Sequence, residues 1–272
     1  MLQVEQIAAQ IREADCFLIG IGEAFAVGTK AEQSPLGKAY MENKKRLEGE
    51  AELLPAEREY VEILDMVGNH PARETEEKRA RVQQAYAILS KIVEKKPFFV
   101  VTMCTDGEIF DSALDKEKIT APCGNVHMLQ CSRHILEPFE TAPLYEKLEQ
   151  QIEAGEVFTA LPRCPACGGP LHPNTIRTEG YLQDAYLPSW QTYTIWLSGT
   201  LHRRLCVLEL GVSFAHPSVI RFPFEKTVFY NKKASLLRVH PTLCQVPQEL
   251  EGRGMAVAAE PVQFLTELES YL

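Results

Sequence analysis

Two short spacings in this chain carry metal-ligand chemistry. Cys164-Pro165-Ala166-Cys167 runs into Gly168-Gly169, and Cys131-Ser132-Arg133-His134 repeats the two-residue gap upstream. The glycines let the chain fold back so that both sulfurs point at one ion. Three thiolates and one imidazole form a donor set for tetrahedral Zn²⁺, and a cluster with no open position is structural, not catalytic. The competing reading is a plain turn at Cys164 and Cys167, with His134 on the surface. The other local signal is Gly20-Ile21-Gly22. Glycines at the end of a buried strand let the backbone approach a pyrophosphate, whose charge suits a following helix N-terminus. The full G-x-G-x-x-G pattern is missing, because Glu23, Ala24 and Phe25 follow. A tight turn without a ligand therefore stays open, and Glu23 repels a phosphate unless a cation intervenes.

The elements that must position these residues alternate in type. Leu2, Val4, Ile7, Ala8 and Ile11 follow a helical period, and Cys16-Phe17-Leu18-Ile19 is a wholly apolar run of the kind that forms a buried parallel strand. Residues 30–97 are rich in Glu, Lys and Arg with helical periods, ending in one long helix over Glu74 to Lys95. Pro97 to Thr102 is the next strand, and Asn125 to Cys131 alternates as another. Residues 143–154 read as a helix with Pro143 at its first position, where a missing N–H costs nothing. Trp190 to Leu201 reads as a further helix. Leu205 to Leu210 ending at Gly211, Ser235 to Val239, and Met255 to Ala258 read as strands, and Pro261 to Leu272 as a closing helix. Strands alternating with helices indicate a parallel α/β sheet.

Composition narrows the class. The chain has 272 residues, 45% hydrophobic and 24% charged, which is ordinary globular usage. Its net charge of −9 gives no general pull on nucleic acid or an anionic membrane, so neither is expected as a partner. No run approaches the roughly 20 apolar residues of a membrane span. The opening MLQVEQIAAQIREAD lacks the layout of a signal peptide. Eight cysteines are too few for a disulfide scaffold, so a reducing, cytoplasmic setting is expected.

Taken in order, these pieces resemble the sirtuin family over residues 16–240. That family carries a Gly-Ala-Gly turn, a Gln-Asn-x-Asp motif, a His-Gly, two Cys-x-x-Cys pairs and a Gly-Thr-Ser motif. Here the order is Gly20-Ile21-Gly22, Met103-Cys104-Thr105-Asp106, Cys123-Gly124, Cys131-x-x-His134 with Cys164-x-x-Cys167, and Gly211-Val212-Ser213. The likeness is strongest to the macrodomain-linked microbial branch, which acts as protein ADP-ribosyltransferases. Leu129 to Ser132, Arg163 to Gly169, and Leu208 to Phe214 continuing through Pro217 and Ile220 to Phe224 carry it.

The resemblance implies a Rossmann-like parallel sheet with helices on both faces, a small zinc-binding lobe and a helical insertion. It divides the chain into 1–29, 97–127 and 202–272 for NAD binding, 30–96 for the insertion and 128–201 for the zinc lobe. It implies NAD as co-substrate, zinc, and a protein acceptor, lipoylated or acylated, with transfer or deacylation in the cleft between lobes. Gly20, Gly22, Ala24, Asp106, Gly211, Ser213 and His240 fall on NAD-binding positions. The catalytic positions fall on Asp106, Cys104 and Cys123.

The departures bear on mechanism. Cys123 replaces the base histidine of the deacylases or the glutamine of the transferases, Met103-Cys104 replaces Gln-Asn, Ala24 stands at a serine-like position, and His240 replaces an asparagine. A thiol acts as base only as thiolate, so transfer survives these changes better than deacylation. The two readings of Cys104 and Cys123 are a thiol-dependent site and two small residues filling vacated space. A catalytically impaired NAD- or ADP-ribose-binding module is the alternative function.

Three further residues have local readings. Asp106 also reads as a turn or helix cap. His216 reads as a helix cap or an adenosine contact. Arg221 reads as a phosphate partner or a solvated surface residue.

Overall fold

The structure, a computed structural model, describes residues 2–27, 49, 76–153 and 162–272. Strand β1 (Cys16–Ile21) is buried along its whole length, as its unbroken apolar sequence requires. It pairs in parallel with β2 (Phe98–Thr102) on one side and β7 (Leu205–Leu210) on the other. The short β3 (Ile119–Thr120) extends the sheet beyond β2, and β8 (Ser235–Val239) and β9 (Gly254–Val257) extend it beyond β7. The order is β3-β2-β1-β7-β8-β9, every pair parallel. Counted within the sheet this is 3-2-1-4-5-6, the doubly wound dinucleotide-binding order. The parallel α/β sheet expected from the strand–helix alternation is the one found.

Helices cover both faces. Helix α1 (Leu2–Glu13), α2 (Glu76–Val93) and α6 (Pro261–Glu269) pack on one, where Ile7, Ile11, Tyr86 and Leu265 meet Phe17, Ile19 and Ile21. Helix α4 (Leu187–Ser198) and α5 (Arg221–Tyr230) pack on the other, against Leu18, Phe99, Val101 and Val207. Of the insertion expected over 30–96, residues 30–48 and 50–75 lie outside the described residues. Its last part, α2, is a core helix of the main sheet. Val82, Tyr86, Leu89 and Val93 are all buried, each side chain contributing about 1.5–3 kcal/mol.

The second sheet is small and antiparallel, in the order β5-β4-β6: Ile135–Leu136, Gly124–Gln130 and His172–Thr175. Helix α3 (Pro138–Glu153) packs beside it through Tyr145 and Leu148. Pro143 does not take the first helical position expected for it. The helix starts at Pro138, and Pro143 lies inside it. Pro138 takes the first helical position, and the Glu140 carboxylate accepts from the Glu137 N–H at 2.9 Å, one half of a capping box. Pro143, inside the helix, costs it the one backbone bond that its missing N–H would have made.

Candidate functional site

In a doubly wound sheet, ligands bind outside the carboxyl ends of the strands where the strand order reverses. Here that point lies between β1 and β7, and the two strand tips meet. The Gly22 N–H donates to the Leu210 carbonyl at 2.9 Å, and the Ala24 N–H to the Gly211 carbonyl at 3.4 Å. A Cβ on Gly22 would lie 2.2 Å from the Gly211 oxygen, so only glycine permits this approach. Gly211 itself has φ +67°, and a Cβ there would lie 2.4 Å from the Ala24 Cβ. Gly20 lies within β1, where a Cβ would meet Ile220 and Phe224 of the α5 region at 2.6 and 2.7 Å.

Glu23 opens a short 3-10 turn (Glu23–Phe25) after the β1 tip. Its carboxylate crosses to the other tip and accepts from the Ser213 hydroxyl at 2.8 Å and the Ser213 N–H at 3.2 Å. Ser213 Oγ in turn accepts from the Ala215 N–H at 3.0 Å. His240 follows β8 at the same sheet edge. Its Nδ1 accepts from the N–H groups of Thr242 and Leu243 at 3.1 and 2.9 Å, which leaves the proton on Nε2. Burial and the nearby Arg221 charge hold its pKa below the ordinary value, so the ring is neutral.

The three other candidates lie under these loops. Asp106 is buried, and both of its oxygens are engaged. Oδ2 accepts from the Val27 N–H at 2.7 Å and Oδ1 from the Glu108 N–H at 3.1 Å. It thus clamps the loop after β1 to the loop after β2. Burial raises its pKa, against the pull of those two N–H groups. Cys104 is buried and donates to the Gly22 carbonyl at 3.2 Å, and burial pushes its thiol well above the usual range. Burial likewise pushes Cys123 up to about 11, with the Glu23 charge adding to it. Both thiols are protonated at neutral pH.

Beneath the switch point lies a charged cluster that sequence reasoning missed. Glu209 on β7 is fully buried and accepts from Arg238 Nε at 2.7 Å, from a second Arg238 nitrogen at 2.9 Å, and from Arg221 Nε at 3.2 Å. Arg238 also pairs with Glu225 at 2.7 Å and donates to the Gln245 carbonyl at 2.6 Å. Arg221 donates to the Leu243 carbonyl and stacks on Phe214, 4.1 Å from its ring centre. Arg221, 1% exposed, is therefore not a solvated residue: it is an anchor for the loop that carries His240. His216 does not cap α5, which begins at Arg221 after Ile220.

The two metal-ligand pairs converge in the small lobe. The ligand atoms of Cys131, His134, Cys164 and Cys167 all lie within 4.8 Å of one another. Cys131 Sγ is 3.5 Å from Cys167 Sγ and 3.4 Å from His134 Nδ1, and Cys164 Sγ is 3.8 Å from His134 Nδ1. A tetrahedral Zn²⁺ with the usual bond lengths needs sulfur–sulfur edges of about 3.8 Å and sulfur–nitrogen edges of about 3.6 Å, so the four residues fit this ion. Each pair sits on a turn: the Gly168 N–H donates to the Cys164 carbonyl at 2.7 Å, and the Cys131 N–H to the His134 carbonyl at 2.9 Å. Burial raises the Cys131 thiol, but the Arg133 and His134 N–H groups and the His134 ring outweigh it and bring the pKa down to about 6. Thiolate is the form a metal takes.

No family model matches the chain. It is similar to a protein ADP-ribosyltransferase of Staphylococcus aureus (strain Mu50), 23% identical over 283 residues that cover 97% of this chain and 86% of that protein. It is also similar to a probable bifunctional ADP-ribose hydrolase/ADP-ribosyltransferase of Fusarium oxysporum f. sp. cubense. There the identity is 26% over 172 residues, 60% of this chain and 29% of that longer protein. Among solved structures, a sirtuin described for substrate affinity superimposes with a TM-score of 0.57 at 15% identity, covering 97% of this chain and 96% of that one. Sir2 bound to acetylated peptide does so with a TM-score of 0.57 at 16% identity, covering 98% and 97%. The fold is sirtuin-like.

Proposed function

We propose that this sirtuin-like chain binds NAD at the β1–β7 switch point and transfers ADP-ribose to a protein side chain. The observation that carries the reading is the meeting of the Gly22 and Gly211 tips at the reversal of a 3-2-1-4-5-6 sheet. The similarity to a protein ADP-ribosyltransferase over 97% of the chain supports the reaction class. We assign the six-stranded parallel sheet with α1, α2, α4, α5 and α6 to NAD binding, and the β4–β6 sheet with α3 and the four metal-ligand residues to the zinc-bearing lobe. Lipoylated or acylated proteins are the first acceptors to test. Eight free cysteines suit a reducing compartment such as the cytoplasm.

When bound, NAD would supply an ADP-ribosyl group joined through ribose C1′ to nicotinamide, a good leaving group. The chain's own residues orient and enclose. The Ser213 N–H and hydroxyl are donors for a phosphate oxygen, and His240 Nε2–H is a neutral donor at the rim. Asp106 holds the two flanking loops in place through Val27 and Glu108. Deacylation needs a base able to take a proton near neutral pH, and Cys123, pushed up to about 11, does not serve. Cys104 and Cys123 are better read as fillers of space vacated by larger polar residues. Transfer asks mainly for positioning.

The test is nicotinamide release from NAD by the purified chain with cell extract. Release above a blank, lost in Asp106→Ala, supports transfer. Tight NAD binding without release favours the second reading, a binding module without turnover, to which the protonated thiols at 104 and 123 also lend support.

A further inference from the structure

We propose that the Glu23 carboxylate is a resident anion on the phosphate seat at Ser213, and that a dinucleotide enters only by displacing it. This rests on the NAD-binding reading above and adds the residue that sets the affinity. A backbone N–H and a hydroxyl from one residue converge on the carboxylate at 3.2 and 2.8 Å, at the carboxyl edge of the sheet. That is the donor set a phosphate oxygen uses at such an edge.

The hydroxyl cannot serve both anions. Ser213 Oγ already accepts from Ala215 and has one proton, which it gives to Glu23. The amide likewise has one hydrogen. Among the described residues no lysine or arginine pairs with Glu23, and its neighbours Cys104, Cys123 and His240 are neutral, so none of these residues compensates its charge against an incoming pyrophosphate. The buried arginines beneath are committed to Glu209 and to loop carbonyls. The seat is therefore built for an anion and held by the chain's own.

Glu23→Gln keeps the length and the acceptor oxygen but removes the charge, replacing charge-assisted hydrogen bonds by neutral ones of about half the strength. The experiment is calorimetric titration of the full chain with ADP-ribose and with adenosine, on wild type, Glu23→Gln, and Glu23→Gln combined with Ser213→Ala. Thermal melts verify that each variant folds. The expected result is ADP-ribose binding tightened about tenfold by Glu23→Gln, reversed by adding Ser213→Ala, with adenosine affinity unchanged. Equal tightening for adenosine, or unchanged or weaker ADP-ribose binding by Glu23→Gln beside a wild type that binds, overturns the displacement and leaves the NAD reading standing. Failure of every folded variant to bind ADP-ribose overturns both.

Discussion

Glu209→Gln is the most revealing single change for how the fold supports the site. Glu209 is fully buried and neutralises two arginines that are themselves 1% and 2% exposed. It accepts three hydrogen bonds, two of them short, at 2.7 and 2.9 Å, and one long, at 3.2 Å. A glutamine keeps one acceptor oxygen but turns an NH₂ towards the guanidinium groups, so two buried cations face a donor. Removing one partner of such a pair costs about 3–5 kcal/mol. Arg238 keeps Glu225 at 2.7 Å, which argues for the lower half of that range. With a urea dependence of about 3 kcal/mol per molar, the midpoint should fall by about 1 M. Because Arg221 and Arg238 hold the carbonyls of Leu243 and Gln245, the loop bearing His240 should loosen and nucleotide affinity should fall with stability. The assay is paired urea denaturation and ADP-ribose titration. A midpoint unchanged within 0.2 M, taking ~0.5 kcal/mol as the limit for an unremarkable surface change, would show that Glu209 does not hold the two arginines in the folded state.

The other predictions concern the metal lobe and the buried thiols. Cys164→Ser should abolish stoichiometric zinc by metal analysis and destabilise the lobe of β4–β6, while the parallel sheet keeps its circular dichroism; full zinc in the variant would contradict the four-residue site. Alkaline stability should fall for a definite reason. Burial raises Cys123 from the ordinary thiol value of 9 to about 11, so the folded state holds its proton where the unfolded state has lost it. The sign is therefore loss: the contribution is full below pH 9 and declines by about 1.4 kcal/mol per pH unit between 9 and 11. Cys123→Ala should flatten that part of a melting-temperature profile from pH 8 to 10.5, and parallel profiles would show that the thiol is not its source.

Much of the fold was legible because buried parallel strands announce themselves. CFLIGI, FFVVT and LCVLEL are apolar runs between helical periods, and each forms a strand of the main sheet. The zinc ligands were legible because their spacing is local, although only folding brings residues 131–134 beside 164–167. The start of α3 was misread because Pro143 and Pro138 both suit a first helical turn, and the capping carboxylate of Glu140 decides between them. Arg221 was misread because its partner is distant. The signal was nonetheless present: LCVLEL and SLLRV each carry one charge inside a buried strand, and Glu209 and Arg238 stand opposite each other in register. Glu23 was visible as a charge beside a glycine turn, but Ser213 lies 190 residues away, and only the strand order joins them.

We propose the crevice between the β1 and β7 tips as the NAD site. Hydrogen exchange of the backbone amides with and without saturating NAD tests it most directly. Protection should appear at residues 22–26 and 211–215 and spread to 240–243. A competing cavity of about 360 Å³ lies at the opposite edge of the sheet, lined in part by Gln10, Arg204, Cys206 and Ser235. Protection there, with residues 22–26 and 211–215 unchanged, would put the nucleotide at that cavity and not at the β1–β7 crevice.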